Sequence, residues 1–189
     1  IENTNNSQFI THSFVTTEDE EISKIASNCG ISVIKRSLSL SQDETTLDIV
    51  IYDAVKKIEK QLNETFDVVI TLQPTSPLLS AETLDKAIKY FLNNNLDTLI
   101  SAVNKPHLSW SLIEDAFIPN YNKRLNRQQL PSNFQETGAF LISKRKFIKK
   151  TSRIGEKVSI YELNKKESVD IDTFQDWWIA EKELTKKNV

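Results

Sequence analysis

Apolar residues follow two spacings along this chain, and the spacings alternate. Phe14-Val15, flanked by the β-branched Ile10, Thr11, Thr16 and Thr17, predicts a strand within residues 9–17. The acidic run Glu18-Asp19-Glu20-Glu21 suits the first turn of a helix, near the positive end of its dipole; the helix should reach Asn28 and stop at Gly30. Residues 31–34 predict a second short strand. After a polar loop, the longest helix should start at Asp43, with Leu47, Ile51, Ala54, Val55, Ile58 and Leu62 on one face. Residues 68–72 form an unbroken, largely β-branched apolar run, the pattern of a strand buried on both faces. Leu84, Ala87, Ile88 and Phe91 then mark the inner face of a helix over residues 81–93, and residues 98–103 predict another strand.

Strand and helix alternating in this way argue for a largely parallel sheet covered by helices. Beyond residue 104 the pattern loosens. Strands are predicted at 110–113, 138–142 and 157–163, separated by an irregular, basic stretch over 120–131. A final helix over 174–186, capped by Asp172 or Thr173, carries Trp177, Trp178, Ala180 and Leu184. Residues 1–8, polar and rich in Asn, predict a loop or frayed end. The three tryptophans are expected to serve packing, with Trp110 also placed where a pocket wall could stand.

Composition narrows the function. The 189 residues fit one α/β domain, and a net charge of −2 implies no bulk attraction to nucleic acid or anionic membrane. The single cysteine, Cys29, excludes an internal disulfide and a Cys-based zinc site, and it suits a reducing, cytoplasmic setting. No apolar run approaches a membrane span. Only three glycines occur, so no Gly-rich phosphate loop is present, and the lack of any methionine leads us to treat the N-terminus as incomplete.

Four places could carry chemistry. The strand at 68–72 ends in Gln73-Pro74-Thr75-Ser76-Pro77, whose prolines cannot join a ladder. Polar groups at the carboxyl end of a strand in an open α/β sheet stand where ligands bind, so Gln73, Thr75 and Ser76 are candidate substrate contacts; a stiff surface turn with Ser80 as helix cap is the alternative. In Asp170-Ile171-Asp172, extended backbone would turn both carboxylates to one side, able to hold a hard cation, or Asp172 could simply cap the helix. Arg127, in Arg127-Gln128-Gln129-Leu130-Pro131, could fork onto a carboxylate or phosphate, or form a surface ion pair. Arg36, followed by Asp43-Glu44-Thr45-Thr46, could face an anion or a base edge at a helix start, or be part of a plain loop and cap. His12 and His107, far apart in sequence, do not argue a metal site, and Ser76 lacks the nearby His or elbow glycine of a nucleophile.

In order, these segments resemble the acylneuraminate cytidylyltransferases, the CMP-sialic acid synthetases. Val15-Thr16-Thr17-Glu18-Asp19-Glu20-Glu21-Ile22 is similar to the family's V-S-T-D-x-E-E-I, and Arg36 with Leu40 and Asp43 to its R-x-x-x-L-x-x-D. The Leu72 to Leu78 run matches L-Q-P-T-S-P-L, Arg127 to Pro131 matches R-Q-x-L-P, and Thr137-Gly138-Ala139-Phe140 falls where the family has N-G-A and a hydrophobic residue. Asp170-Ile171-Asp172-Thr173 with Asp176 matches D-I-D-T-x-x-D. The chain departs from the pattern at Thr137, where the family has Asn, and at Leu79, where it has Arg; nothing matches the family's first strand and A-R-x-G-S-K loop.

The resemblance implies a Rossmann-like nucleotide-diphospho-sugar transferase fold: a mostly parallel sheet flanked by helices, with a small dimerisation extension in the C-terminal half. It implies a single cytidylyltransferase domain over 1–189 lacking its N-terminal strand and triphosphate loop, and a homodimer. The implied reaction transfers CMP from CTP to the anomeric hydroxyl of a nine-carbon sugar acid. By the same resemblance Asp170 and Asp172 would be catalytic and hold Mg²⁺ or another divalent cation, Arg36 and Thr45 would face the nucleotide, and Gln73, Thr75, Ser76, Arg127 and Thr137 would face the sugar acid. Two other readings stay open: a cytidylyltransferase for another 2-keto sugar acid, of the 3-deoxy-octulosonate or legionaminate type, and a non-catalytic module that dimerises or binds sugar nucleotides.

Overall fold

The structure, a computed structural model, describes residues 1–186. Its strands are β1 (Phe14–Thr17), β2 (Ser32–Lys35), β3 (Val68–Thr71), β4 (Thr98–Asn104), β5 (Trp110–Ile113), β6 (Ala116–Pro119), β7 (Phe134–Lys144) and β8 (Val158–Glu162). Its α-helices are α1 (Glu2–Asn5), α2 (Glu20–Asn28), α3 (Leu47–Leu62), α4 (Ala81–Asn93) and α5 (Phe174–Thr185). The main sheet has the order β3-β7-β4-β8. β3, β4 and β8 point the same way and β7 runs against its two neighbours. β1 and β2 form a separate parallel pair, and β5 and β6 an antiparallel hairpin. The fold is thus the expected α/β architecture, with β7 as its antiparallel member.

Local chemistry sets the helix ends. Asp19 caps α2 by accepting from the Ile22 N–H (2.8 Å), and Gly30 follows it with φ +75°, a conformation that side chains rarely adopt. Ser80 caps α4 through the Thr83 N–H (3.2 Å). Thr173 and Asp176 form a reciprocal capping box at α5. The core lies between α4 and the sheet: Leu84, Ala87, Ile88 and Phe91 pack with Leu99, Phe140 and Ile142.

Several expectations are corrected. α3 starts at Leu47, with residues 43–46 in a turn before it. Residues 1–8 are docked, not frayed: α1 lies against α4, and Asp85 accepts from the Ser7 hydroxyl (2.5 Å) and the Gln8 N–H (3.2 Å). β3 is half-buried, because it lies at the edge of its sheet; β4, two places in, is the strand whose first five residues are all buried. β6 has no signal in turn chemistry: its hairpin turns on Glu114 and Asp115, both at positive φ without a glycine. The tryptophans do not serve the core, since Trp110, Trp177 and Trp178 are all more than half exposed.

Candidate active site

The shared direction of β3, β4 and β8 brings their carboxyl ends to one edge of the sheet, where β7 begins. Gln73 leaves β3 there and donates its N–H to the Gly138 carbonyl (3.1 Å). Its side chain lies over Gly138 so closely that a Cβ on residue 138 would stand 2.1 Å from Gln73 Oε1. Gly138 belongs to a bulge: residues 137–140 of β7 stand opposite Ser101 alone on β4. Ser101, fully buried, holds the bulge by donating to the Phe140 carbonyl (2.8 Å) and accepting from the Phe140 N–H (3.0 Å). The Thr137 hydroxyl turns inward to the same Ser101 Oγ (2.9 Å).

Across from this wall comes the loop after β8. The Ile171 N–H donates to the Thr75 carbonyl (2.8 Å), which seats Asp170-Ile171-Asp172 directly against the Pro-stiffened turn. Asp170 Oδ1 and Ser76 Oγ are both buried without a hydrogen-bond partner. Buried polar atoms in native proteins are rarely left so, and unpaired ones point to a missing ligand or water. Asp172 is exposed two residues on. Asp176 is held below the usual carboxylate range, first by the Thr173 hydroxyl and then by the Thr173 N–H, so its charge serves the cap of α5.

This donor set suits a hard, oxygen-bound divalent cation. Among the described residues no group of three or more His, Cys, Asp or Glu side chains gathers into a cage. Two carboxylates, one with a buried free oxygen, match Mg²⁺ as it is usually bound, by one or two carboxylates with substrate phosphates and water completing the shell.

The remaining candidates share no hydrogen bond with this cluster among the described residues. Arg36 donates through Nε to Glu18 Oε2 (2.8 Å) and through its terminal nitrogen to the same oxygen. That pairing holds the Glu18 carboxyl below its ordinary range. Thr45 lies in the turn before α3, its N–H donating to the Gln42 carbonyl (2.9 Å). Arg127 opens a 3₁₀ turn before β7, exposed, with no ion pair among the described residues. Two surface hollows, of ≈ 580 and ≈ 530 Å³, lie around the C-terminal end of α3 and the start of β3 and include none of these residues. Sequence reasoning missed Ser101 and Glu167. Neither sits in a recognisable motif, and a serine in a strand or a glutamate in a loop reads as solvated.

Parallel strands with a polar, Pro-stiffened loop and two carboxylates near their carboxyl ends define an α/β protein of the kind that binds ligands at that edge of the sheet. The chain belongs to the cytidylyltransferase family, whose profile matches residues 1–188. N-acylneuraminate cytidylyltransferase A of Danio rerio is 30% identical over 180 residues, covering 92% of this chain and 41% of that protein. Post-translational flagellin modification protein B of Campylobacter coli is 28% identical, covering 97% of this chain and 81% of that one. The pseudaminic acid cytidylyltransferase of Campylobacter jejuni is 27% identical, covering 93% and 79%. The chain therefore spans less than half the length of the Danio relative and about four-fifths of the two Campylobacter proteins. Among solved structures, CMP:2-keto-3-deoxy-manno-octonic acid synthetase complexed with CTP superposes with TM-score 0.69 over 100% of this chain and 86% of that one, at 11% identity. This likeness shows a shared fold.

Proposed function

We propose that the protein transfers CMP from CTP to the anomeric hydroxyl of a nine-carbon 2-keto sugar acid. The anomeric oxygen forms a bond to the α-phosphorus, the bond from that phosphorus to the β-phosphate bridge breaks, and pyrophosphate leaves; the hydroxyl proton passes to solvent. The observation that carries the reading is the Ile171–Thr75 hydrogen bond (2.8 Å), which sets the carboxylate pair against the Gln73–Ser76 turn. One wall thus offers neutral donors and acceptors suited to a sugar, the other anionic oxygens suited to a cation on phosphates.

In this reading Asp170 and Asp172 hold Mg²⁺, which when bound neutralises phosphate charge. Gln73, fixed over Gly138, orients the sugar acid, with Thr75 and Ser76 beside it. Arg127 pairs with the sugar carboxylate. Arg36 and Thr45 face the nucleotide, with Glu18 holding the Arg36 fork in plane. The Thr137 hydroxyl acts through Ser101, shaping the bulge. Phosphoryl transfer needs positioning and charge neutralisation more than covalent chemistry, and this set supplies both. Exposed apolar side chains on the hairpin (Leu112, Phe117) and on α5 (Phe174, Trp178) support a homodimer.

The substrate is proposed from the class shared by the relatives, with N-acylneuraminate and pseudaminate as the two members their names carry. The test is pyrophosphate release from CTP with each acid in turn. Release with at least one of them bears out the reading. No release with any acid, including 3-deoxy-octulosonate and legionaminate, favours a non-catalytic module.

A further inference from the structure

Glu167 is 7% exposed, and its carboxylate has no ion-pair partner among the described residues. It is instead surrounded by donors. Oε1 accepts from the Ser80 N–H (3.0 Å) and the Ser80 hydroxyl (2.6 Å). Oε2 accepts from the Thr83 hydroxyl (2.9 Å) and the Asn164 side-chain amide (2.6 Å). The Ser80 oxygen also accepts from the Thr83 N–H (3.2 Å), so one hydroxyl caps α4 and donates to Glu167. A buried carboxylate is tolerated only when fully hydrogen-bonded, and here the N-terminus of α4 adds a favourable dipole. Four donors require an acceptor-only group, which a glutamine is not.

The position of this knot gives it a role. Ser80 is four residues beyond Ser76, and Glu167 is three residues before Asp170. The Ile171–Thr75 bond joins the same two loops on the other side of Asp170. Asp170 is therefore bracketed by two links to the turn that carries Gln73, Thr75 and Ser76. We propose that Glu167 is a positioning residue for the reaction: it holds the carboxylate loop in register with the sugar-facing turn. This rests on the function proposed above. Glu167 touches no substrate; it sets where Asp170 and Asp172 stand relative to Gln73. A misplacement near 1 Å at such a site can lower turnover about a hundredfold.

The test compares the wild-type protein with Glu167→Gln and with Thr83→Val, which removes one donor and spares the carboxylate. Three readouts are used: amide exchange at Ile171 against amides of β4, binding of Mn²⁺ alone followed by electron spin resonance, and steady-state kinetics. In Glu167→Gln, Ile171 exchange should quicken about tenfold while β4 stays protected, Mn²⁺ affinity should weaken, and kcat should fall about tenfold to a hundredfold with KM for CTP within about twofold. Thr83→Val should shift the same readouts less. Unchanged Ile171 exchange and Mn²⁺ affinity in both variants overturns the proposal. So does faster exchange of every protected amide in parallel, which marks a residue of general stability; if Glu167→Gln does not fold, Thr83→Val decides. A wild-type protein without turnover sinks the proposed function instead, and Ile171 exchange still decides the link.

Discussion

The side chain of Gln73 occupies the space a Cβ would take on Gly138, 2.1 Å from Gln73 Oε1. The absence of a side chain at 138 is what lets Gln73 lie flat at the tip of β3. Gly138 is not at positive φ, so an alanine there meets a steric problem only, with Gln73 Oε1 at 2.1 Å and Gln73 Cβ at 3.2 Å. Gly138→Ala should raise KM for the sugar acid about tenfold and leave KM for CTP within about twofold. Adding Gly138→Ala to Gln73→Ala should cost less than Gly138→Ala costs the wild type, because the Oε1 clash is then gone and only the Cβ contact, at 3.2 Å, remains. Additive losses in initial-rate measurements would contradict this coupling.

Asp170 and Asp172 differ in surroundings, and their variants should differ too. Asp170 has a buried, unpartnered oxygen, while Asp172 is exposed. Asp170→Asn and Asp172→Asn should each lower kcat about a hundredfold or more at low Mg²⁺. High Mg²⁺ should restore part of the Asp172→Asn loss and little of the Asp170→Asn loss. A titration of rate against Mg²⁺ checks both; rates equal to wild type in either variant would remove that residue from the proposed metal site.

Glu59 on α3 forks with Arg145, which follows β7, through bonds of 2.6 and 2.8 Å, largely out of solvent. The guanidinium hydrogen bonds hold the Glu59 carboxyl below its ordinary range. A carboxylate with a lowered folded-state pKa stabilises fully above its unfolded value, about 4.3, and that stability is lost as pH falls through the lowered value. Glu59→Gln should destabilise by about 1–3 kcal/mol at pH 7 and flatten the loss of stability below pH ~4. Denaturant melts at pH 7 and at steps from pH ~4 down to about 2 measure both effects. An unchanged acid slope in the variant would assign the acid loss to other groups.

The hairpin and α5 expose large apolar side chains, Phe117 at 72% and Phe174 at 87% among them. If these faces meet a second copy, Leu112→Ser with Phe117→Ser should shift the sedimentation of the protein from dimer to monomer at micromolar concentration. A wild-type protein that sediments as a monomer would contradict the dimer.

How much was legible in the sequence depended on the range of the interaction involved. α2, α4 and α5 followed from end signals and apolar spacing, which act within one turn of helix: Ser80 and Thr173 cap where the pattern put them, while Asp19, expected within the first turn of α2, is its cap. β4 and β7 followed from apolar runs, although β7 extends four residues earlier than its apolar core because the bulge at Ser101 keeps residues 134–137 in the sheet. The edge position of β3 was not legible, since a strand's neighbours are set by topology. The docking of α1 through Ser7 and Asp85 was hidden for the same reason, 78 residues separating the partners. In the candidate site, Gln73 and Asp170 were found because they lie in motifs. Ser101 and Glu167 were not, because a buried polar residue owes its place to partners far along the chain.

The central claim is that the carboxylate loop and the Gln73 turn are the two walls of a cleft where CTP meets a sugar acid. It is tested most directly by incubating the protein with CTP, Mg²⁺ and N-acylneuraminate or pseudaminate, and measuring CMP-sugar and pyrophosphate together. Equal amounts of the two products, absent when the sugar acid is omitted and lost in Asp170→Asn, are the predicted result. Pyrophosphate released without sugar acid, or full turnover by Asp170→Asn, would contradict it.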